Sequence, residues 1–229
     1  MLYTEQNVRD NIRNREGKRV FFLGKGDQLT SGARDYLRKE RIEILPAQEA
    51  RVDLYRLAGG GFVREKPEHM THLSEDLLVK KTHPRIRFRG EMDMLEAEIM
   101  LCQLKMDPEV RKDLGEILEL ARRLLRCDVL HEPVPEGKLC GLTEEQQRQH
   151  SHRPQDFYGQ PHFMPDSTDG EQILLLNRVR CAARRAEIAA VDAFSDREGN
   201  LLREDIPRAL NRMSSMLYIL MIRQKKKKG

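Results

Sequence analysis

The chain has 229 residues, 39% apolar and 34% charged, enough to bury a sizeable core under a very polar surface. Four of its 41 basic residues are Lys225, Lys226, Lys227 and Lys228, so the rest of the chain balances the 37 acidic residues. A neutral body with 5% aromatics and no tryptophan speaks against nucleic-acid binding, and no apolar run is long enough to cross a bilayer.

Residues 1–57 read as a small α/β attachment. Thr4 can cap a short helix over 5–13, and Val20-Phe21-Phe22-Leu23 reads as a strand ended by Gly24-Lys25-Gly26-Asp27. Gly24-x-Gly26 fits a phosphate nest on paper but lacks a Walker-type lysine spacing, so it reads as a turn. Thr30 or Ser31 can cap a helix through Lys39, and Ile42-Glu43-Ile44-Leu45 reads as a second strand. Residues 58–73, with Gly59-Gly60-Gly61 and Pro67, read as a linker.

From Ser74 the pattern turns helical. Ile86, Met92, Leu95, Ile99 and Met100 make a first stripe, broken at Asp107-Pro108. Val110, Leu114, Ile117, Leu118, Ala121, Leu124 and Leu125 make a second, ended by Pro133 and Pro135. A polar connection rich in Gln and His runs to residue 168. Ile173, Leu176, Val179, Ala183, Ala186 and Ala190 form a third stripe of small residues suited to close packing. A fourth starts at Asp205-Ile206-Pro207 and continues through Leu210, Met213, Leu217 and Leu220. The expected fold is mainly α: a four- to five-helix bundle over 74–223, the small N-terminal α/β attachment, and a disordered basic tail over 224–229.

The cysteines Cys102, Cys127, Cys140 and Cys181 show no CxxC pairing and read as buried free thiols of a reducing, cytoplasmic compartment. His69 and His72 form an HxxH and His150 and His152 an HxH, but no further ligand stands at a zinc spacing, so no metal site is expected.

Two segments carry the chemistry. Lys81 and Arg85 lie four apart at a helix start, either a polyphosphate site or a solvated basic face. Arg180 and Arg184 share a helix face, with Arg185 beside them and Glu187 one turn beyond Arg184. Asp93 reads as lying on the core stripe of the first bundle helix, where an unpaired carboxylate is costly, so a buried Asp93–Arg180 pair is expected, structural or functional.

Val79-x-Lys81, Arg85-Ile86, Gly90, Asp93, Arg180, Arg184-Arg185-Ala186-Glu187 and Leu210-Asn211-Arg212 together resemble the corrinoid adenosyltransferases. The ethanolamine-utilisation branch is most similar, matching at Leu29-Thr30-Ser31-Gly32-Ala33-Arg34-Asp35-Tyr36-Leu37, Thr71-His72-Leu73-Ser74, Asp128-Val129-Leu130-His131-Glu132-Pro133 and Ser151-His152-Arg153-Pro154. The resemblance implies transfer of the 5′-deoxyadenosyl group of ATP to cob(I)alamin, with Mg²⁺ assisting, in support of ethanolamine catabolism. It assigns ATP binding to Lys81, Arg85, Arg184, Arg185, Glu187 and Asn211. It places Asp93 and Arg180 in a salt bridge at a subunit interface and makes Phe163 the shield of the lower corrin face. Implied partners are a second copy of the chain, a cobalamin reductase and ethanolamine ammonia-lyase, in the cytoplasm or a bacterial microcompartment. A histidine and three-cysteine metal segment found in some members of that branch has no counterpart in Ala58–Pro67, which holds no cysteine. The alternative is a non-catalytic escort of adenosylcobalamin or a microcompartment scaffold.

Overall fold

The computed structural model describes residues 2–15, 17–46 and 54–228. Residues 47–53 of the attachment and Gly229 of the tail lie outside the described residues. Two compact units divide the chain, Met1–Glu68 with Glu75–Leu78, and His69–Ser74 with Val79–Gly229.

In the first unit, β1 (Leu2–Tyr3) leads into α1 (Glu5–Asp10), where Thr4 and Asn7 form a reciprocal capping box. β2 (Arg13–Arg15) pairs antiparallel with β3 (Lys18–Leu23), and β4 (Gln28–Leu29) pairs parallel with β1. α2 (Ser31–Lys39), capped by Thr30, returns the chain to β5 (Glu43–Pro46), which runs parallel to β3. Val8, Phe21, Leu29, Ala33, Leu37 and Ile42 form its small core. Gly24-Lys25-Gly26-Asp27 is a turn closed by Asp27 Oδ2 accepting from the Gly24 N–H at 3.0 Å.

The expected linker holds structure. β6 (Tyr55–Leu57) and β7 (Phe62–Val63) pair antiparallel around Gly60 and Gly61, whose φ values of 94° and 86° only glycine adopts easily. β8 (Met70–Ser74) and β9 (Leu77–Lys80) follow, and Leu77 and Leu78 run parallel to β6. The glycines that marked a linker turn a hairpin.

The second unit is the helical bundle. α3 (Pro84–Gln103) begins with Pro at its first position and the His83 ring Nδ1 accepting from the Arg85 N–H at 3.2 Å. Burial, with Arg85 and Arg89 nearby, lowers the His83 pKa, which suits an accepting, neutral ring. α4 (Pro108–Leu130) starts from an Asp107 cap. α7 (Glu171–Phe194) packs chiefly against α3 and against α8 (Asp205–Lys228), while α3 also packs on α4. Phe88, Met92, Leu95 and Ile99 of α3, Leu114 and Ile117 of α4, and Leu210, Met213 and Leu217 of α8 are buried. Ala183, Ala186 and Ala190 let α7 lie between its neighbours.

The polar connection is also structured. α5 (Glu144–His152) has a Thr143/Gln146 capping box, and α6 (Pro154–Tyr158) follows it directly. His150 stacks on Phe157 at 3.8 Å and meets the Tyr158 hydroxyl at 2.8 Å, so the two short helices pack on each other. The basic tail corrects a further expectation. α8 continues through Lys228 because Lys225 meets Asp169 at 2.6 Å and Lys227 meets Glu109 at 2.7 Å, while lysines complement the negative end of a helix.

Candidate functional site

Arg180, Arg184 and Glu187 repeat at four and then three residues along α7, so they share one face of that helix. Asn211, Ser215 and Tyr218 follow the same spacing on α8. The antiparallel helices bring the two rows together. Asn211 Nδ2 donates to Glu187 Oε1 at 2.8 Å, and the Arg180 guanidinium lies 5.4 Å from the centre of the Tyr218 ring. Arg212 donates to Asn211 Oδ1, which fixes the amide with its N–H side toward Glu187. Arg184 stands between these contacts, exposed, and no acceptor among the described residues meets it. Its neighbours differ: Arg178 is held by Glu98 at 2.7 Å and Arg185 by Glu91 at 2.8 Å.

Phe163 belongs to the same neighbourhood. Its N–H donates to the Tyr218 hydroxyl at 3.1 Å, and Lys225 Nζ lies 4.5 Å from its ring centre. Tyr218 was not among the expected site residues; its seven-residue spacing from Asn211 is the signal that places it on this face.

The start of α3 is arranged differently from expectation. Lys81 precedes the helix, is exposed, and its backbone N–H donates to the His69 carbonyl at 2.9 Å. Arg85, expected at phosphate, is committed to Asp128, with contacts of 2.6 and 2.9 Å to its carboxylate and 2.9 Å to its carbonyl. Arg89 takes the other carboxylate oxygen at 2.8 Å and reaches the Leu73 carbonyl at 3.1 Å. Asp128 is fully buried and needs both cations. Sequence reading missed this triad, although Asp128 follows Ala121 and Leu124 on the apolar face of α4 and so signals a buried carboxylate.

Two further expectations change. Asp93 is exposed, because the core stripe is Phe88, Met92, Leu95 and Ile99, and the next residue after Met92 turns outward. Within one chain it makes no pair with Arg180. Arg185 is spent on Glu91, so its head group does not stand ready for a phosphate.

Among the described residues, no group of three or more His, Cys, Asp or Glu could hold a metal ion. His72 lies in β8 and His69 in the turn just before it. Cys102 and Cys127 are buried, whereas Cys140 is half-buried and Cys181 exposed on α7. Burial, reinforced by Glu98, pushes the Cys102 thiol up to about 12. No described helix is long and apolar enough to cross a membrane.

The α7–α8 polar face is open. Clefts of about 380 Å³ and about 280 Å³ lie elsewhere, beside Glu109 and Arg223 and beside Glu116 and Gln147, and Arg212 alone connects the second to the polar face.

Comparison with known proteins adds the family. A family model described as cobalamin adenosyltransferase matches residues 62–224. A corrinoid adenosyltransferase, EutT, of Salmonella typhimurium is 33% identical over 160 residues, which is 70% of this chain and 60% of that protein. EutT of Escherichia coli is 34% identical over the same shares. The match thus spans about 60% of the length of these curated relatives.

Proposed function

The chain belongs to the cobalamin adenosyltransferase family, and from that premise we propose that it is an ATP:cob(I)alamin adenosyltransferase serving ethanolamine catabolism. The observation that carries the reading is Arg184: on a helix seam where neighbouring arginines are neutralised, it stays unpaired between the Glu187–Asn211 hydrogen bond and the Arg180–Tyr218 stack.

In the proposed reaction the Co(I) electron pair attacks C5′ of ATP. A Co–C bond forms, the C5′–O bond breaks, and triphosphate leaves with the bonding electrons while cobalt is oxidised to Co(III). Such chemistry asks the protein mainly for position and charge. Arg184 and Lys81 meet the triphosphate, which brings Mg²⁺ with it. Glu187 and Asn211 orient the nucleoside. Arg85, at the start of α3, acts indirectly through Asp128 near the end of α4, and Arg185 through Glu91, each by holding a helix position. Phe163 keeps the lower axial position of cobalt free of a ligand, which eases reduction by a partner reductase. The product passes to ethanolamine ammonia-lyase in the cytoplasm or a microcompartment.

The open polar face supports a site completed by a second copy of the chain, with Asp93 meeting Arg180 of the partner subunit. Replacing Arg184 by Ala tests the reading. ATP affinity should fall about ten- to a hundredfold, the worth of a charge-assisted contact of about 1.5–3 kcal/mol. Thermal unfolding should stay at the parent value, since Arg184 supports no other described side chain. Arg197→Ala, exposed in the turn before α8, should leave both quantities unchanged. Parent-like ATP affinity in Arg184→Ala would overturn the phosphate role.

A further inference from the structure

The segment Gly159–Gly170 crosses the end of the α7–α8 face, and one side chain of α8 holds it. Tyr218 accepts the Phe163 N–H at 3.1 Å and offers its own proton to the Phe163 carbonyl at 3.3 Å. A single hydroxyl therefore grips both backbone ends of one residue. The same oxygen lies 3.2 Å from His162 Nδ1. His162 Nε2 lies 3.1 Å from the His152 carbonyl, so the ring bridges Tyr218 to the end of the preceding short helix. The His162 and Phe163 rings both stack beside the Tyr218 ring, at 5.9 and 6.0 Å between centres. Arg180 covers the Tyr218 ring at 5.4 Å, and Lys225, anchored by Asp169, caps Phe163.

We propose that Tyr218 is a positioning residue for Phe163: its hydroxyl fixes the Phe163 backbone, and its ring links that residue to Arg180 on α7. The inference rests on the reading of Phe163 as the lower-face shield. Three consequences of the geometry support it. The hydroxyl contacts go to backbone atoms, so they set where the Phe163 side chain projects whatever that side chain is. The ring contacts bring a cation expected at the subunit boundary within reach of the shield. The hydroxyl is also the only part of Tyr218 that makes the clamp, so it can be removed without emptying the space that the ring fills.

Tyr218→Phe isolates the hydroxyl, and Phe163→Ala supplies the comparison. Cob(II)alamin is added to ATP-loaded protein, and its electronic and paramagnetic spectra report the fraction of cobalt lacking a lower axial ligand. Loss of the clamp should lower the ratio of ligand-free to ligand-bound cobalt about five- to tenfold, the effect expected from losing one or two neutral hydrogen bonds. Phe163→Ala should abolish the ligand-free form. ATP affinity of Tyr218→Phe should stay at the parent value while thermal unfolding falls by no more than the few degrees that one or two hydrogen bonds supply, a combination that general loosening would not give. Amide hydrogen exchange at Phe163, measured without corrinoid, should become faster in Tyr218→Phe. If the parent forms ligand-free cob(II)alamin, and Tyr218→Phe matches it in spectrum and in exchange at Phe163, the positioning role is overturned alone. If the parent forms none, the adenosyltransferase reading of Phe163 falls and the inference falls with it.

Discussion

Arg203 grips Asp205 with two bonds of 2.9 Å, and the same carboxylate accepts the Val134 N–H at 2.9 Å. The Arg203 guanidinium beside it holds the Asp205 carboxyl down at about 2. A carboxylate depressed in the folded state contributes stability above its unfolded pKa and loses it as pH falls toward the folded value. Asp205→Asn should therefore destabilise the chain by about 1–2 kcal/mol near neutral pH, allowing for solvent screening. That difference should shrink between about pH 4 and pH 2, read from urea unfolding across the acid range. A difference constant with pH would mean that packing, not charge, is lost. Single residues were legible when their signal was local: Thr4 and Thr30 cap the helices that follow them. Asp128 was not, because its partners Arg85 and Arg89 are 43 and 39 residues away in sequence.

At the scale of elements, periodicity carries the four long helices, whose buried stripes follow the sequence pattern except at Met100, which lies 43% exposed on α3. It fails where short polar helices have no apolar stripe. α5 buries Gln147 and Ser151, and only its capping box announces it. The end of α8 shows the same limit. Four consecutive lysines repel one another as an isolated segment, yet acidic residues from α4 and the turn before α7 receive Lys225 and Lys227. Lys225→Ala should take from Asp169, whose side chain is only 6% exposed, the cation that meets it at 2.6 Å, leaving the Asp166 N–H on its other oxygen, and lower stability by about 1–3 kcal/mol. Exchange of the amides over Gly159–Gly170 should quicken in the same variant, since Lys225 also caps Phe163. Lys226→Ala, exposed on the same turn of helix, should change neither. If Lys225→Ala unfolds like the parent, the helical end of α8 does not depend on this pair.

The bundle leaves unusual apolar surface uncovered. Leu174, Cys181 and Ile188 recur every seven residues on the outer face of α7, and Ile188 is 69% exposed. Met94 and Leu101 repeat the spacing on α3, beside exposed Asp93. A seven-residue apolar repeat on neighbouring helices is the pattern by which helices meet another helical surface. It coincides with the resemblance that puts Asp93 and Arg180 on either side of a subunit boundary. Ile188→Lys should therefore shift sedimentation from oligomer to monomer while thermal unfolding of the dilute chain stays unchanged, because no core contact is lost. Charge makes the sharper test. Asp93→Arg and Arg180→Asp should each weaken assembly by placing like charges together, about tenfold or more in dissociation constant. The double exchange should recover most of that loss, since it restores opposite charges with their places reversed. Single variants that sediment like the parent would remove the proposed interface pair, and a double exchange no better than the singles would show that the two residues do not meet.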